Sequence, residues 1–535
     1  MLSFGPQLVL ATVALLTGFA LLFRASVAVS AGAKILMLPL QTRSHVIGQL
    51  ALGELLAARG HRVHMAIGSS NPVRQRVERA GVRVMPFTIP DDVMTFYSEE
   101  YERYLADTVF FSKNKFEEGE RLMRMMHRDC ELMMADSGFV SAARELRFDL
   151  AVFDAFPFLP CTLILPHNLS VPYIGFTAVI EPWALRMPSL PSYRRTQTNW
   201  MTPDTWTFLE RLKGLVDQIL VHNLGLAMPV INNQTLLEKY SQEKVSWDEL
   251  LRKSLLLLWE QSPVADYPSA IYPNTVLVPG LTISPVNRVE GQLGSILDGA
   301  QQGVVLLTFG ATSNYLPKEI VLKFLRVFAS LEQLTFLVKF VVPEGVTIAQ
   351  NVVVKEWLPQ NDILGHKNTK LFITHCGNNG QYEAIYHAVP TIGFPQFGDQ
   401  TYNCQRARLK GFGLQMNIHD FTVEQLRTNI LKVIENPIYA DTVNKASEIW
   451  RHERMTSREK AAYWIEHVIK YGGDHLRPRG YDMTLLEFLM VDVLVIYLVA
   501  VLAFVAVLCS SVKYCVGRLK RIVVGLDTNN KPERD

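Results

Sequence analysis

Between Glu356 and Asn403 the sequence runs EWLPQNDILGHKNTKLFITHCGNNGQYEAIYHAVPTIGFPQFGDQTYN. The apolar run LFIT ends at His375, and the small or polar residues Cys376, Gly377, Asn378, Asn379 and Gly380 then open a helix-forming stretch. The first N–H groups of a helix have no partner inside it, and its aligned peptide dipoles leave partial positive charge there. Glycines let an anion approach that backbone, so such a turn can hold a diphosphate. A tight turn alone explains the glycines equally well, so the neighbouring residues decide between the two. Trp357 offers a flat face for a ring, and Glu383, Asp399 and Gln400 offer groups that bond to hydroxyls. In the other half of the chain, His45 follows an apolar run and the loop Gln41-Thr42-Arg43-Ser44, and Asp154 lies in FDAF at the end of another. An imidazole near its ordinary pKa accepts protons at neutral pH, and a carboxylate on its second nitrogen would fix its tautomer.

These residues fall at the ends of strand-length runs. Lys34 to Leu40 reads as a strand, Val46 to Arg59 as a helix ending at Gly60, HRVHMAIG as a strand, Asn71 to Ala80 as a helix and Val82 to Phe87 as a strand. Asp149 to Phe153 and Tyr173 to Phe176 add further strands. A stretch rich in Gly, Pro, Ser and Gln, Pro279 to Gly303, reads as an interdomain linker. Strands at Gly303 to Phe309, Leu334 to Phe340, Val352 to Lys355, Leu371 to Thr374, Thr391 to Phe394 and Leu414 to Ile418 then alternate with helices. Those helices are expected at Lys318 to Leu331, Gln381 to His387, Asn403 to Lys410 and Thr422 to Glu435. Alternation of this kind predicts parallel sheets covered on both faces, with ligand bound in a cleft at the strands' C-terminal ends. No internal repeat or low-complexity tract interrupts it.

The 535 residues exceed what one ordinary core holds, so two domains with accessory segments are expected. With 49% hydrophobic and only 19% charged residues, and a mean hydropathy of +0.12, part of the chain is expected in lipid. The net charge of +2 gives no electrostatic footprint for nucleic acid, and that class is excluded. None of the six cysteines forms a C-x-x-C pair, so neither metal nor redox chemistry is indicated, and Cys130 and Cys161 are expected as buried thiols rather than a disulfide. Leu8 to Phe23 is apolar and is followed by small residues, which is the layout of a signal peptide, with an uncleaved anchor as the competing reading. Val493 to Val512 carries no charge and is long enough to cross a bilayer core of ~30 Å. Lys513, Arg518, Lys520 and Arg521 follow it, which puts the tail in the cytosol and the body in the lumen. The sequons at Asn168 and Asn233 are compatible with that side.

With WLPQ, HCGNNG, YEA and GDQ in order, the segment from Trp357 to Gln400 resembles the signature of the membrane-bound UDP-glycosyltransferase family, which includes the UDP-glucuronosyltransferases. The resemblance extends over most of the chain, from the strand-His-helix start to the basic tail. It implies an α/β fold of two tandem Rossmann-like doubly wound domains, the GT-B architecture, with a C-terminal single-pass transmembrane helix. The expected parts are a signal peptide over residues 1–30, an acceptor domain over 31–285, a UDP-sugar domain over 286–480, a membrane-proximal segment over 481–492, the membrane helix over 493–512 and a tail over 513–535. By the same resemblance Trp357 would stack on uracil, Gln360 would bond to the uridine, and Glu383 would take the ribose hydroxyls. His375, Gly377, Asn379 and Gly380 would hold the diphosphate, with Thr308 and Thr312 beside it, and Asp399 and Gln400 would take the sugar hydroxyls. His45 would deprotonate an acceptor hydroxyl, oriented by Asp154, so that the sugar transfers with inversion. The implied donor is a UDP-sugar and the implied acceptor a small lipophilic molecule, with loops such as Pro90 to Phe111 and Pro182 to Trp200 lining its pocket. No cofactor or metal is expected. Location in the endoplasmic reticulum membrane, type I with lumenal catalytic domains, also follows, while assembly into homo- or hetero-oligomers stays open.

Three residues depart from the family pattern. Ala311 stands where many members have a phosphate-touching Ser, which shifts that contact to Thr312 or Ser313. Cys376 replaces the Gly of most vertebrate members. Glu260 occupies the place of an Arg that meets the carboxylate of glucuronic acid, and a carboxylate there repels another, so glucose is expected over glucuronic acid. Rival readings are a lipid-directed transferase acting on ceramide or sterol, and a catalytically silent partner that binds UDP-sugar or an active homologue.

Overall fold

Among the described residues, thirteen short strands, rich in apolar and β-branched residues, build two sheets. The computed structural model describes residues 32–90, 99–111, 115–155, 161–178, 184–187, 207–217 and 233–528. The expected signal peptide lies outside the described residues, as do residues 91–98, 182–183 and 188–200 of the expected acceptor loops.

The first sheet contains β1 (Lys34–Leu38), β2 (Arg62–Gly68), β3 (Arg83–Phe87), β4 (Leu150–Asp154), β5 (Tyr173–Thr177), β6 (Leu257–Trp259) and β7 (Thr275–Leu277). Its order is β3-β2-β1-β4-β5-β6-β7, every pair parallel. The second contains β8 (Val304–Thr308), β9 (Thr335–Val338), β10 (Val352–Val354), β11 (Thr369–Thr374), β12 (Thr391–Gly393) and β13 (Gly413–Gln415), in the order β10-β9-β8-β11-β12-β13, again all parallel. In both sheets the chain builds outward one way, then returns to the other side of its first strand. The reversal falls between β1 and β4 in one sheet and between β8 and β11 in the other, and at such a point the outgoing loops part and leave a crevice.

Helix α1 (Arg43–Ala58) begins three residues before the expected Val46, which puts His45 in its first turn. Its residues Val46, Leu50, Leu52 and Leu56 are buried against Ile35, Met37, Val63 and Val152 of the sheet. The second core is dense in aromatics. Phe309, Phe324, Phe328, Phe336, Phe394 and Phe421 pack edge-on, tilted or stacked, with Phe328 and Phe336 stacked at 4.1 Å. Phe309 directly follows β8, so this packing also anchors the loop beside the candidate site.

Several expectations need correction. Residues 279–303 are not all linker, because α2 (Gly291–Gly299) forms there and packs Leu293, Ile296 and Leu297 on the second domain. These three stand at i, i+3 and i+4, a helical spacing masked in the sequence by the Gly, Pro and Ser around it. Strands β6 and β7 also lie in residues to which the sequence reading gave no element. Helix α3 (Ser457–Tyr471) falls within the stretch expected as second domain but packs on the first: Ala461, Ala462, Ile465 and Val468 join the core beneath α1. Burying Ile465 and Val468 stabilises this contact by about 1.5–3 kcal/mol each. Glu466 adds hydrogen bonds to Arg59 at 2.9 Å and His61 at 3.4 Å. The final helix, α4 (Val491–Thr528), runs through Lys513, Arg518, Lys520 and Arg521, so these basic residues extend the helix rather than begin a separate tail. Its part Val491–Ile522 is long and apolar enough to cross a membrane. The Asn168 amide, read as a glycosylation acceptor, donates within the fold to the Tyr240 carbonyl at 2.8 Å.

Cys130 and Cys161 are disulfide-bonded, not thiols, with Cα atoms 5.4 Å apart. No local spacing signals this pair, which only the packing of two helices brings together. Closing a loop of 31 residues constrains the unfolded chain. Cys130→Ala should lower the unfolding free energy by about 3–4 kcal/mol on the chain-entropy scale, read as an earlier thermal transition that reductant reproduces in the wild type.

Candidate active site

Strands β1 and β4 flank the reversal of the first sheet, and each delivers one reactive group. His45 Nδ1 lies 2.7 Å from Asp154 Oδ2, with the carboxylate fully enclosed and a quarter of the imidazole exposed. The backbone N–H of Leu40 also donates to Asp154 Oδ2, at 3.1 Å, which fixes the carboxylate. A neutral ring that donates from Nδ1 has Nε2 as its basic nitrogen. Burial disfavours the imidazolium, but the charge and hydrogen bond of Asp154, helped by the charges of Glu260 and Asp399, outweigh it and raise the His45 pKa above 6.5. Glu260 follows β6 and is buried, with Oε1 lacking a partner. Desolvation pushes its carboxyl up to about 7, against the pull of His45 and of the Leu281 N–H. His45 therefore feels carboxyl groups from both domains.

Strands β8 and β11 flank the second reversal. After β11, His375 leads into Cys376 at φ 66° and then α-helix Asn378–Tyr386 with Gly377 as its N-cap. A left-handed φ costs a side chain about 1–2 kcal/mol and glycine nothing, which accounts physically for the family's Gly at the place of Cys376. No side chain caps this helix, so its first N–H groups point out at the turn. Gly310, at φ 62°, brings the loop after β8 against the imidazole, and a Cβ there would stand 3.1 Å from His375 Cε1. Burial and the charge of Lys339 push the His375 pKa down to about 4, despite a hydrogen bond with the backbone of Thr308. His375 is thus neutral at physiological pH and brings no positive charge to the turn.

Gln360 Nε2 donates to Glu383 Oε2 at 2.6 Å, and the Thr282 hydroxyl donates to Oε1 at 3.3 Å. Burial nevertheless raises the Glu383 carboxyl to about 7. Trp357 is 74% exposed, an unusual position for an indole and a ready platform for a ring. Asp399 accepts from Asn403 at 2.6 Å, and Gln400 Oε1 accepts from the N–H groups of Gln396 and Phe397 at 3.0 and 3.2 Å. Gln400 therefore braces the turn with its oxygen.

The Thr308 hydroxyl lies 3.4 Å from that of Ser313 and accepts from Gly310 N–H at 3.3 Å, and Thr312 lies 2.5 Å from Gln396 Oε1 and 3.1 Å from the Phe309 carbonyl. Ser313 accepts from Phe309 N–H at 2.7 Å. All three residues are buried and stitch the loop that follows β8. Sequence reasoning missed Asp266, Tyr382 and Arg406, which form a buried polar cluster behind the turn, and it missed the pairing of Cys376 with Cys404. Nothing in their local spacing signals either contact.

Two parallel-sheet domains, with a His–Asp pair at one reversal and an uncapped helix N-terminus at the other, have the architecture of the GT-B glycosyltransferases. Solved structures share that fold. The glycosyltransferase of kitacinnamycin matches with a TM-score of 0.58 at 19% identity, covering 82% of this chain and 98% of that one. The calicheamicin glycosyltransferase CalG4 matches with 0.58 at 17%, covering 82% and 99%. Residues 33–524 match the family model for UDP-glucoronosyl and UDP-glucosyl transferase, and the chain belongs to this family of UDP-glycosyltransferases. Human UDP-glucuronosyltransferase 1A1 is 28% identical over 509 residues, 92% of this chain and 94% of that protein. Rat 2-hydroxyacylsphingosine 1-beta-galactosyltransferase is 26% identical over 513 residues, 95% and 93%.

Gly377 has no room for a side chain, since a Cβ would stand 2.6 Å from His375 Nε2. Gly377→Ala should displace the imidazole, destabilise the fold by about 1–3 kcal/mol and raise the KM for UDP-sugar on the order of tenfold. Initial-rate kinetics and thermal unfolding of the same preparation check both effects.

Proposed function

We propose that the protein transfers a neutral hexose such as glucose from its UDP conjugate, with inversion, to a hydroxyl of a small lipophilic acceptor. The observation that carries this reading is the 2.7 Å contact between His45 Nδ1 and the enclosed Asp154 carboxylate, at the sheet reversal. The acceptor proton passes to His45 Nε2 as its oxygen bonds to the anomeric carbon. The bond from that carbon to the β-phosphate oxygen breaks, and the electron pair leaves on UDP. Asp154 steadies the imidazolium that forms. The N–H groups at Gly377 to Gly380, with neutral His375 packed beside them, take up the charge developing on the leaving diphosphate. The reading supplies no metal, because those dipoles do its work.

The donor's other contacts follow from the same placement. Trp357 carries the uracil ring, Gln360 and Glu383 the uridine, and Asp399 with the Gln400 amide nitrogen the sugar hydroxyls. The uncharged run Val493–Val512 followed by Lys513, Arg518, Lys520 and Arg521, together with a Cys130–Cys161 disulfide suited to an oxidising compartment, supports a lumenal catalytic body at the endoplasmic reticulum membrane. A lipid acceptor of the ceramide class is a second reading, supported by the likeness to the sphingosine-directed galactosyltransferase.

Because the His45 pKa is raised, the base form is lost as pH falls through that value, and kcat/KM should drop on the acid side with an inflection above 6.5. Asp154→Asn removes the raising charge, so the inflection should move to lower pH while kcat falls on the order of 10²–10⁴-fold. A purified His45→Ala variant with full activity would show the base to be misassigned.

Glu260, with its carboxyl held at about 7, gains charge across neutrality. The preference for UDP-glucose over UDP-glucuronic acid should therefore grow about tenfold between roughly pH 6 and pH 8 and lose its pH dependence in Glu260→Gln. Direct competition of the two donors, with products weighed by mass spectrometry, reads the ratio. Faster formation of glucuronide than glucoside would sink the assignment.

A further inference from the structure

Behind the anion-ready turn lies a cluster that the proposed chemistry does not use. Arg406, on helix Gln400–Leu409, forms an ion pair through Nη1 with Asp266 Oδ1, and the two side chains are only 3% and 4% exposed. Its Nη2 donates to Asn378 Oδ1 at 3.0 Å, the first residue of the helix whose N-terminus forms the turn. The guanidinium also lies over the rings of Tyr382 and Tyr402, each at 5.5 Å. Asp266 belongs to the segment after β6 that also carries Glu260. Its Oδ2 accepts from Ser262 N–H at 2.8 Å and lies 2.6 Å from the Tyr382 hydroxyl, which is itself 2.9 Å from the Glu260 carbonyl.

Burying two charges has a desolvation cost that a hydrophobic pair would avoid, so such a pair is weak as a stability device and stronger as a device that fixes geometry. A guanidinium is suited to that task because its planar fork serves two acceptors at once, here a carboxylate and an amide oxygen.

We propose that Arg406 is a positioning residue for the donor: with Asp266 as counterion it locks Asn378, and through it the diphosphate turn, to the segment that carries Glu260. The proposal rests on the reading of that turn as the diphosphate site. The nucleotide's anionic end and the carboxylate that selects the sugar are thereby held in one register, although they come from different domains. A lysine in place of Arg406 keeps the charge but cannot serve Asp266 and Asn378 together.

The test uses the full-length membrane-embedded enzyme and reads the KM for UDP-sugar, the inhibition constant of UDP, kcat and the thermal transition. Arg406→Lys should raise KM and the UDP inhibition constant on the order of tenfold with kcat within about twofold, and Arg406→Met should raise both further. Asn378→Ala removes the far end of the link without uncovering a charge, and keeps the test open should Arg406→Met fail to fold. It should weaken UDP several-fold, with a thermal transition lowered less than in Arg406→Met, because the guanidinium loses one hydrogen bond and keeps its counterion. Gly377→Ala, which puts a Cβ into the turn itself, separates the two levels of inference. If it weakens UDP while Arg406→Lys and Asn378→Ala bind UDP as the wild type does, the positioning role is overturned. If Gly377→Ala also leaves UDP binding untouched, the turn is not the diphosphate site and the proposal falls with that reading.

Discussion

The organisation of this molecule depends on the direction of its strands. In a parallel sheet every strand ends on the same edge, and every crossover helix starts there, with N–H groups that its own turns cannot satisfy. Where the strand order reverses, two neighbouring loops diverge and leave those groups open. Both sheets use that geometry. The first places an imidazole and its carboxylate at the reversal, on strands paired at Leu38 and Phe153. The second places a loop of stitched hydroxyls and a glycine-lined turn there, on strands paired at Thr308 and Thr374. The chemistry is divided between domains, while the means of presenting it is the same.

Electrostatics distinguish the two halves. Around His45 the carboxyl groups of Asp154, Glu260 and Asp399 favour a positive ring, so the first half suits a step in which a proton arrives. Around His375 burial and Lys339 favour a neutral one. The second half therefore presents oriented dipoles rather than a charged ring, and such dipoles need no counterion and no reorganisation as charge develops. His45, in the first turn of the helix after β1, and His375, directly after β11, have their pKa values shifted in opposite directions by their surroundings.

Much of this was legible in the sequence because it is local. The apolar runs ending at Leu40, Phe153 and Thr374 announced strands, and the residues just beyond each run had to sit at the sheet edge. The punctuation of Cys376 to Gly380 showed a helix beginning without a cap. What escaped was non-local. A disulfide between Cys130 and Cys161, the ion pair of Asp266 with Arg406, and the inward turn of Thr308, Thr312 and Ser313 depend on elements that meet only after folding. Boundaries were also blurred where a glycine-rich stretch, Gly291–Gly299, became helical by packing rather than by propensity. The sequence reading placed no helix at α3 and counted its residues with the second domain, since its apolar positions carry no mark of which domain they cover.

That last helix bears on how the enzyme can move. A chain that passes once between two lobes leaves them able to swivel as well as to hinge. Here the chain passes over through the segment after β7 and comes back in α3, which is fastened to the first lobe by Ile465, Val468 and Glu466. With two crossings instead of one, any twist between the lobes has to strain the apolar contact of Ile465 and Val468 with the first lobe as well as the connecting segment.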